Sequence, residues 1–356
     1  MVNSKAKPQK ELRRGWTTGA CATAATKAAF AALVTGNFPN PVDIILPKGE
    51  RASFPLALNE LGQGYARAGI IKDAGDDPDV THGATIIAKV SRVGTGVTFR
   101  AGEGVGTITK PGLPLAPGEP AINPVPRQMM IKEVEDIAKK HAVPADVEIE
   151  ISIPGGETIA AKTWNGRLGI LGGLSILGTT GIVHPYSCSA WIHSIHRGID
   201  VARATGVSHV AGSTGSTSEE AVRKLYRLPM DALIDMGDFA GGMLKYLRNH
   251  PVPRVTIAGG FGKITKLAQG ALDLHSGRSQ VDFDWLARHM PEHVREQTRK
   301  ANSALEVELL ARSMGFDLPR RVAKSAAGTV REVLKDAPVE ADIVIVGRDG
   351  EIIGRA

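Results

Sequence analysis

Two stretches of this 356-residue chain carry residue types and spacings that could do chemistry. The first is Lys72-Asp73-Ala74-Gly75-Asp76-Asp77-Pro78-Asp79-Val80-Thr81-His82-Gly83. Carboxylates crowded beside a histidine suit proton transfer, because like charges raise a carboxyl pKa toward neutrality. Asp76, Asp77 and His82 are the candidate bases. The aspartate spacing does not fit the calcium loop D-x-D-x-D-G, and the same residues also read as a turn whose aspartates bond their own backbone. The second stretch is Val255–Ser276, where a β-branched run ends at Gly259 and Gly260 and a helix-period segment follows with Lys263 and Lys266. Glycines at such a junction let a ligand approach the backbone, and the helix aims unpaired N–H groups at it. Two lysines in the first turn oppose the helix dipole, which suits an anionic ligand, although the segment reads equally as a tight βα turn with solvated lysines. A Walker reading fails, since Ile257 and Ile264 stand where glycine and Ser/Thr are needed.

Three strand ends, near Gly212, Asp235 and Gly259, are expected side by side, and ligands of open α/β sheets bind outside such carboxyl ends. Asp235 follows Gly215 by 20 residues, a separation like that of the acidic residue that holds ribose hydroxyls in dinucleotide folds. Gly212, Thr214, Gly215, Asp235, Asp238, Gly259 and Gly260 are the candidate cofactor-binding set, although the first loop is not G-x-G-x-x-G and each position also reads as an ordinary turn glycine or capping aspartate. His193 and His196 lie three apart without a third ligand, and Cys21 and Cys188 are far apart, so neither a metal site nor a disulfide framework follows.

The elements that must position these residues divide into two domains. Thr17 or Thr18 can cap an alanine-rich helix that Gly36 ends. Strand-like runs follow at 42–46, 52–58, 66–71, 84–93 and 96–100, with a helix over 127–141. The runs 147–153 and 157–163, separated by Pro154-Gly155-Gly156, predict a hairpin. Beyond a helix over 187–205, short strands at 207–211, 232–236, 254–258 and 342–346 alternate with helices, which predicts parallel βαβ units. The expected architecture is an α+β N-terminal domain (1–190) followed by an α/β, Rossmann-like C-terminal domain (191–356) with a mostly parallel sheet.

Composition narrows the partners. The formal net charge is +6, with basic residues gathered early at Lys5, Lys7, Lys10, Arg13 and Arg14, and this favours acidic ligands. With 4 Trp, 4 Tyr and 8 Phe and no aromatic–basic interleaving, a nucleic-acid surface is not expected. No run of about 18 apolar residues and no secretory signal is present, so a cytoplasmic protein without a membrane partner is expected.

Arg13–Ala22 (R-R-G-W-T-T-G-A-C-A), Lys72–Thr81, Gly178-Thr179-Thr180-Gly181-Ile182-Val183, Met236-Gly237-Asp238-Phe239 and Gly262–Ala268 occur in that order. The series closely resembles the cobalt-precorrin-5B C(1)-methyltransferase family of cobalamin (vitamin B12) biosynthesis, over roughly residues 11–355. The segment Pro185–His193 looks like a variant of a family region often richer in acidic residues. The resemblance implies S-adenosyl-L-methionine as methyl donor and an anionic cobalt-tetrapyrrole as substrate, with no protein-bound metal because the cobalt belongs to the substrate. It also implies an inter-domain substrate cleft, with Arg14, Thr17, Thr18, Lys72, Lys263, Lys266 and His275 as substrate-binding candidates. A homo-oligomer is compatible with this reading. A non-catalytic corrinoid-binding protein is the alternative, and the expectation of a second, cofactor-sized site argues against it.

Overall fold

Alanines and threonines from Thr18 to Thr35 form a helix because nothing in that run resists it and both ends are marked. The Thr17 hydroxyl accepts from the Ala20 N–H at the start, and Gly36 closes the end in the left-handed conformation at φ +80°. The helix is buried on nearly every side, which its small side chains permit, and it packs against both a sheet and the helix Pro124–His141. These features are seen in a computed structural model that describes residues 12–356. The basic positions Lys5, Lys7 and Lys10 lie outside the described residues.

Two compact units make up the chain, dividing between Ser187 and Cys188. The first is α+β. Its main sheet has five strands in the spatial order Leu58–Gly62, Tyr65–Ile71, Thr85–Arg92, Val147–Ser152, Val97–Ala101, and only the last pair is parallel. Val42–Ile45 and Arg51–Phe54 form a separate antiparallel pair.

Two expectations are corrected here. The run 52–58 is not one strand, because Pro55 separates Arg51–Phe54 from Leu58–Gly62. The hairpin over 147–163 does not form either. Val147–Ser152 is already paired on both edges, with Thr85–Arg92 and Val97–Ala101, so a hairpin partner has nowhere to bond. The chain turns instead into the short helix Gly156–Ala160.

The second unit carries a mixed five-stranded sheet in the order Leu233–Asp235, His209–Ser213, Arg254–Gly260, Glu340–Val346, Ile352–Arg355. The first four strands are parallel, and the last, which the sequence reading missed, is antiparallel. Helix Ser216–Tyr226 covers one face through Val222, which packs with Ala211, Leu233, Ala258 and Val344. Helices Ala240–Asn249, Phe261–Ala268 and Leu318–Leu334 cover the other face, over Val210, Val255, Ile257 and Ile343. Among the described residues no helix is long and apolar enough to cross a membrane.

Candidate functional site

In the first unit, three of the sequence motifs close on one another. Gly15–Trp16 pairs antiparallel with Ile182–Val183. The Trp16 N–H donates to the Asp73 carbonyl (2.7 Å) and the Asp76 N–H to the Arg13 carbonyl (2.9 Å). The Thr17 N–H reaches the Gly181 carbonyl at 3.0 Å, and the Gly19 N–H reaches Leu177 at 2.9 Å. Arg13–Gly19, Asp73–Asp76 and Leu177–Val183 thus form one backbone-bonded knot.

Cations and hydrogen-bond donors inside the knot engage the aspartates of its loop. Asp73 holds the Arg13 guanidinium and accepts from the Gly75 N–H, and Asp76 accepts from the Arg13 N–H at 2.7 Å. Asp77 accepts from the Tyr186 N–H at 2.8 Å, and Asp79 pairs with Lys72 at 2.7 Å while accepting from Thr81. Hydrogen bonding from Arg13 brings the Asp73 carboxyl down to about 2. Burial would push Asp79 up, but the Lys72 ammonium and the Thr81 bonds outweigh it and hold it below its ordinary value. Cations and N–H donors, not neighbouring carboxylates, set these two groups. His82 uses Nδ1 to accept the Ala74 N–H at 3.1 Å, so the neutral ring carries its proton on Nε2 and that bond must break before Nδ1 can take another.

Of the substrate-binding candidates in this unit, Arg14 keeps an exposed guanidinium, 3.5 Å from Glu50. Thr17 is the helix cap, and the buried Thr18 hydroxyl accepts from the Leu177 N–H at 2.9 Å. Lys72 is only 1% exposed, so its ammonium serves Asp79 inside the fold. Cys21 is fully buried, and burial pushes its thiol up to about 12, which makes it a packing residue. Sequence reasoning passed over Arg13 and Asp73 as a pair; the Arg13-Arg14 doublet beside a motif glycine was the available signal.

The second unit gathers a different set. Its strand order places the neighbours of His209–Ser213 on opposite sides, Leu233–Asp235 and Arg254–Gly260. The crevice between the carboxyl ends of His209–Ser213 and Arg254–Gly260 is thus a topological switch point. Two helices start there, Ser216–Tyr226 from Gly215 and Phe261–Ala268 from Gly260, and neither glycine offers a capping side chain. A Cβ built on Gly215 or Gly260 meets nothing within 4 Å, so both open on free space.

The other two glycines serve packing, contrary to the expectation of close ligand approach. A Cβ on Gly212 would lie 2.4 Å from the Met243 sulfur, and one on Gly259 would lie 2.7 Å from the Thr214 hydroxyl. Alternation along a strand decides this: Gly212 faces the helix Ala240–Asn249 rather than the strand end.

Lys263 crosses the strand ends. Its Nζ donates to the Thr214 carbonyl at 3.2 Å and lies 3.0 Å from Asp238 Oδ1, an ion pair without hydrogen-bond alignment. Lys266 is buried and donates to the Leu274 carbonyl at 2.6 Å. Both lysines therefore have partners within their own unit, and the dipole argument for an anionic ligand lapses. Asp235 accepts the Trp191 indole N–H on its carbonyl at 3.1 Å. His275 is exposed, with Nδ1 accepting from the Gly277 N–H.

Residues 5–185 match the family model described as CbiD, and residues 273–356 match that described as CbiD, C-terminal domain. The chain belongs to the CbiD family. Among curated relatives, cobalt-precorrin-5B C(1)-methyltransferase of Brucella anthropi is 63% identical over 99% of this chain and 98% of its own. That of Brucella suis biovar 1 is 63% identical over 98% of this chain and 97% of its own. A crystal structure of a cobalamin biosynthesis protein (cbiD) from Archaeoglobus fulgidus is 26% identical, covers 86% of this chain and 85% of that one, and has a TM-score of 0.40. In this CbiD-family chain the segments Arg13–Ala22, Lys72–Thr81 and Gly178–Val183 meet in the first unit, while Met236–Phe239 and Gly262–Ala268 meet in the second through Asp238 and Lys263.

Proposed function

We propose that this chain transfers a methyl group from S-adenosylmethionine to carbon 1 of cobalt-precorrin-5B, giving cobalt-precorrin-6A. The observation that carries this reading is the 63% identity, over 99% of the chain, to a relative bearing that activity as its name.

The methyl donor is assigned to the switch point of the second unit, a Rossmann-like use of an α/β sheet. Gly215 and Gly260 leave room there, and two helix N-termini offer N–H groups to the donor's carboxylate. Asp235, at the end of the neighbouring strand, is assigned to the ribose hydroxyls. S-adenosylmethionine supplies an electrophilic methyl on a cationic sulfur. The protein's part is alignment and exclusion of water, since in-line displacement needs no covalent nucleophile. Arg14 is the exposed cation assigned to substrate carboxylates in the first unit. Asp76 and Asp77 are the preferred proton acceptors, ahead of His82 with its committed Nδ1.

Calorimetry with S-adenosylhomocysteine tests the donor site. Gly215 is extended, at φ 167°, and its Cβ position is open, so Gly215→Val keeps the fold while filling the crevice. The expected result is loss of binding; normal affinity would remove the donor from these strand ends. Asp235→Asn is expected to weaken binding roughly tenfold, the effect of losing a charge-assisted hydrogen bond.

Single-turnover rates with both ligands bound test the base. Asp76→Asn or Asp77→Asn is expected to slow methylation by about 100-fold, in the range of general-base removal. Normal rates in both, and in His82→Ala, would leave the loop a purely structural knot and put the base elsewhere.

A further inference from the structure

We propose that Asp238 balances the charge of the donor site, so that the switch point accepts a sulfonium cation, with Lys263 as its counterweight. The inference rests on the placement of the methyl donor given above. Apart from Asp235, which ends Leu233–Asp235 and is assigned to the ribose, and Glu219 in the first turn of Ser216–Tyr226, the groups fixed at these strand ends are positive. Two helix N-termini converge there, each with the partial positive charge of unpaired N–H groups. Lys263 adds a full charge in the first turn of Phe261–Ala268. A donor whose sulfur is cationic would be repelled by that set.

Asp238 is placed to cancel it. Its Oδ1 lies 3.0 Å from Lys263 Nζ, with the carboxylate side chain 23% exposed and the lysine 38%, so water screens the pair only in part. The contact also ties together the segments that follow three strands. Lys263 follows the third strand of the unit, Thr214 the first, and Asp238 the second, and the ammonium touches the latter two at once. Asp238 and Lys263 are thus positioning residues with an electrostatic signature, and neither is required to bond the donor.

The signature separates charge balance from loop support. S-adenosylmethionine and S-adenosylhomocysteine differ at the sulfur by one methyl and one positive charge. A purely structural pair affects both ligands alike, whereas a charge-balancing pair changes their affinity ratio. At several ångströms and an intermediate effective dielectric, one uncompensated charge is worth about five- to tenfold in affinity.

The experiment is calorimetric titration of the full chain, without tetrapyrrole, with each ligand in turn. Asp238→Asn is expected to weaken S-adenosylmethionine about five- to tenfold more than S-adenosylhomocysteine. Lys263→Met, which leaves Asp238 uncompensated, is expected to move the ratio the other way, and the double variant to return it toward the original value. Ratios unchanged within about twofold in both single variants would overturn the proposal. Gly215→Val is titrated alongside. If it loses both ligands while those ratios stay unchanged, the donor placement stands and the charge-balancing role falls. If it binds both normally, the placement falls and this inference with it. Should Asp238→Asn fail to fold, Lys263→Met and Asp238→Glu carry the test, the latter expected to keep the original ratio.

Discussion

Gly15→Val is expected to lower the melting temperature by about 6–12 °C and to abolish turnover, the largest effect of any single change in the amino-terminal motif. A Cβ on Gly15 would sit 2.0 Å from the Ala74 carbonyl carbon and 2.4 Å from the Gly75 nitrogen. These are backbone atoms, which cannot rotate aside as a side chain would. The crossing is tight from the other direction as well, since a Cβ on Gly75 would meet the Arg13 carbonyl oxygen at 2.1 Å, at φ +68°. To accept valine, the turn Asp73–Asp76 must move away and release the Trp16-to-Asp73 and Asp76-to-Arg13 bonds. Overpacking against backbone combined with broken backbone bonds costs about 3 kcal/mol or more. Gly328→Ala is the control. That glycine lies in the helix Leu318–Leu334 with nothing within 4 Å of its Cβ position, so alanine should hold or slightly raise stability. Thermal unfolding of both variants decides the matter, and a Gly15→Val melting curve that overlays the control's would sink the argument.

How much of this was legible beforehand depends on how local each feature is. The helix Thr18–Thr35 was readable because its cap, its alanines and its terminal Gly36 are neighbours in sequence. The parallel strands of the second unit were readable because each short apolar run is followed by a helix. The false hairpin shows the limit: whether Val147–Ser152 has a free edge depends on Thr85–Arg92 and Val97–Ala101, about 50 to 65 residues away. The lysines show it for chemistry. Lys263 and Lys266 are three apart on one helix, yet one reaches Asp238 across the strand ends and the other turns inward to Leu274. Sequence gave the charges and withheld their partners. The same holds for Gly212, whose missing side chain makes room for Met243, a contact fixed by the sheet's two faces rather than by the glycine's place in a loop.

Lys72→Met is the second large effect, an expected loss of about 3–5 kcal/mol from removing one partner of a buried pair. Lys72 is 1% exposed and Asp79 keeps 25% of its side chain in contact with solvent, so the lower half of that range applies if water reaches the orphaned carboxylate. Methionine fills most of the space of the lysine stem, which leaves the missing charge as the main change. The double variant Lys72→Met/Asp79→Asn is expected to be more stable than Lys72→Met alone, because it removes the uncompensated charge along with its partner. Acid titration gives the sharper test. In the original chain the Lys72 ammonium and Thr81 outweigh burial and hold Asp79 below its ordinary value of 3.8. A depressed carboxyl contributes stability above the unfolded-state value and loses it as pH falls through the folded-state value. Asp73, brought to about 2 by Arg13, extends the same loss across the interval from about pH 4 down to about 2. In Lys72→Met the sign at Asp79 reverses. Burial, the largest influence on Asp79, is then opposed by the Thr81 bonds alone and is expected to raise the carboxyl above its ordinary value, so that the folded state binds the proton first and gains relative stability as pH falls. The stability gap between the two proteins should therefore narrow between pH 7 and about pH 4, as read by denaturant unfolding at a series of pH values. A gap that stays constant, or widens, over that interval would mean that Asp79 is not held by Lys72.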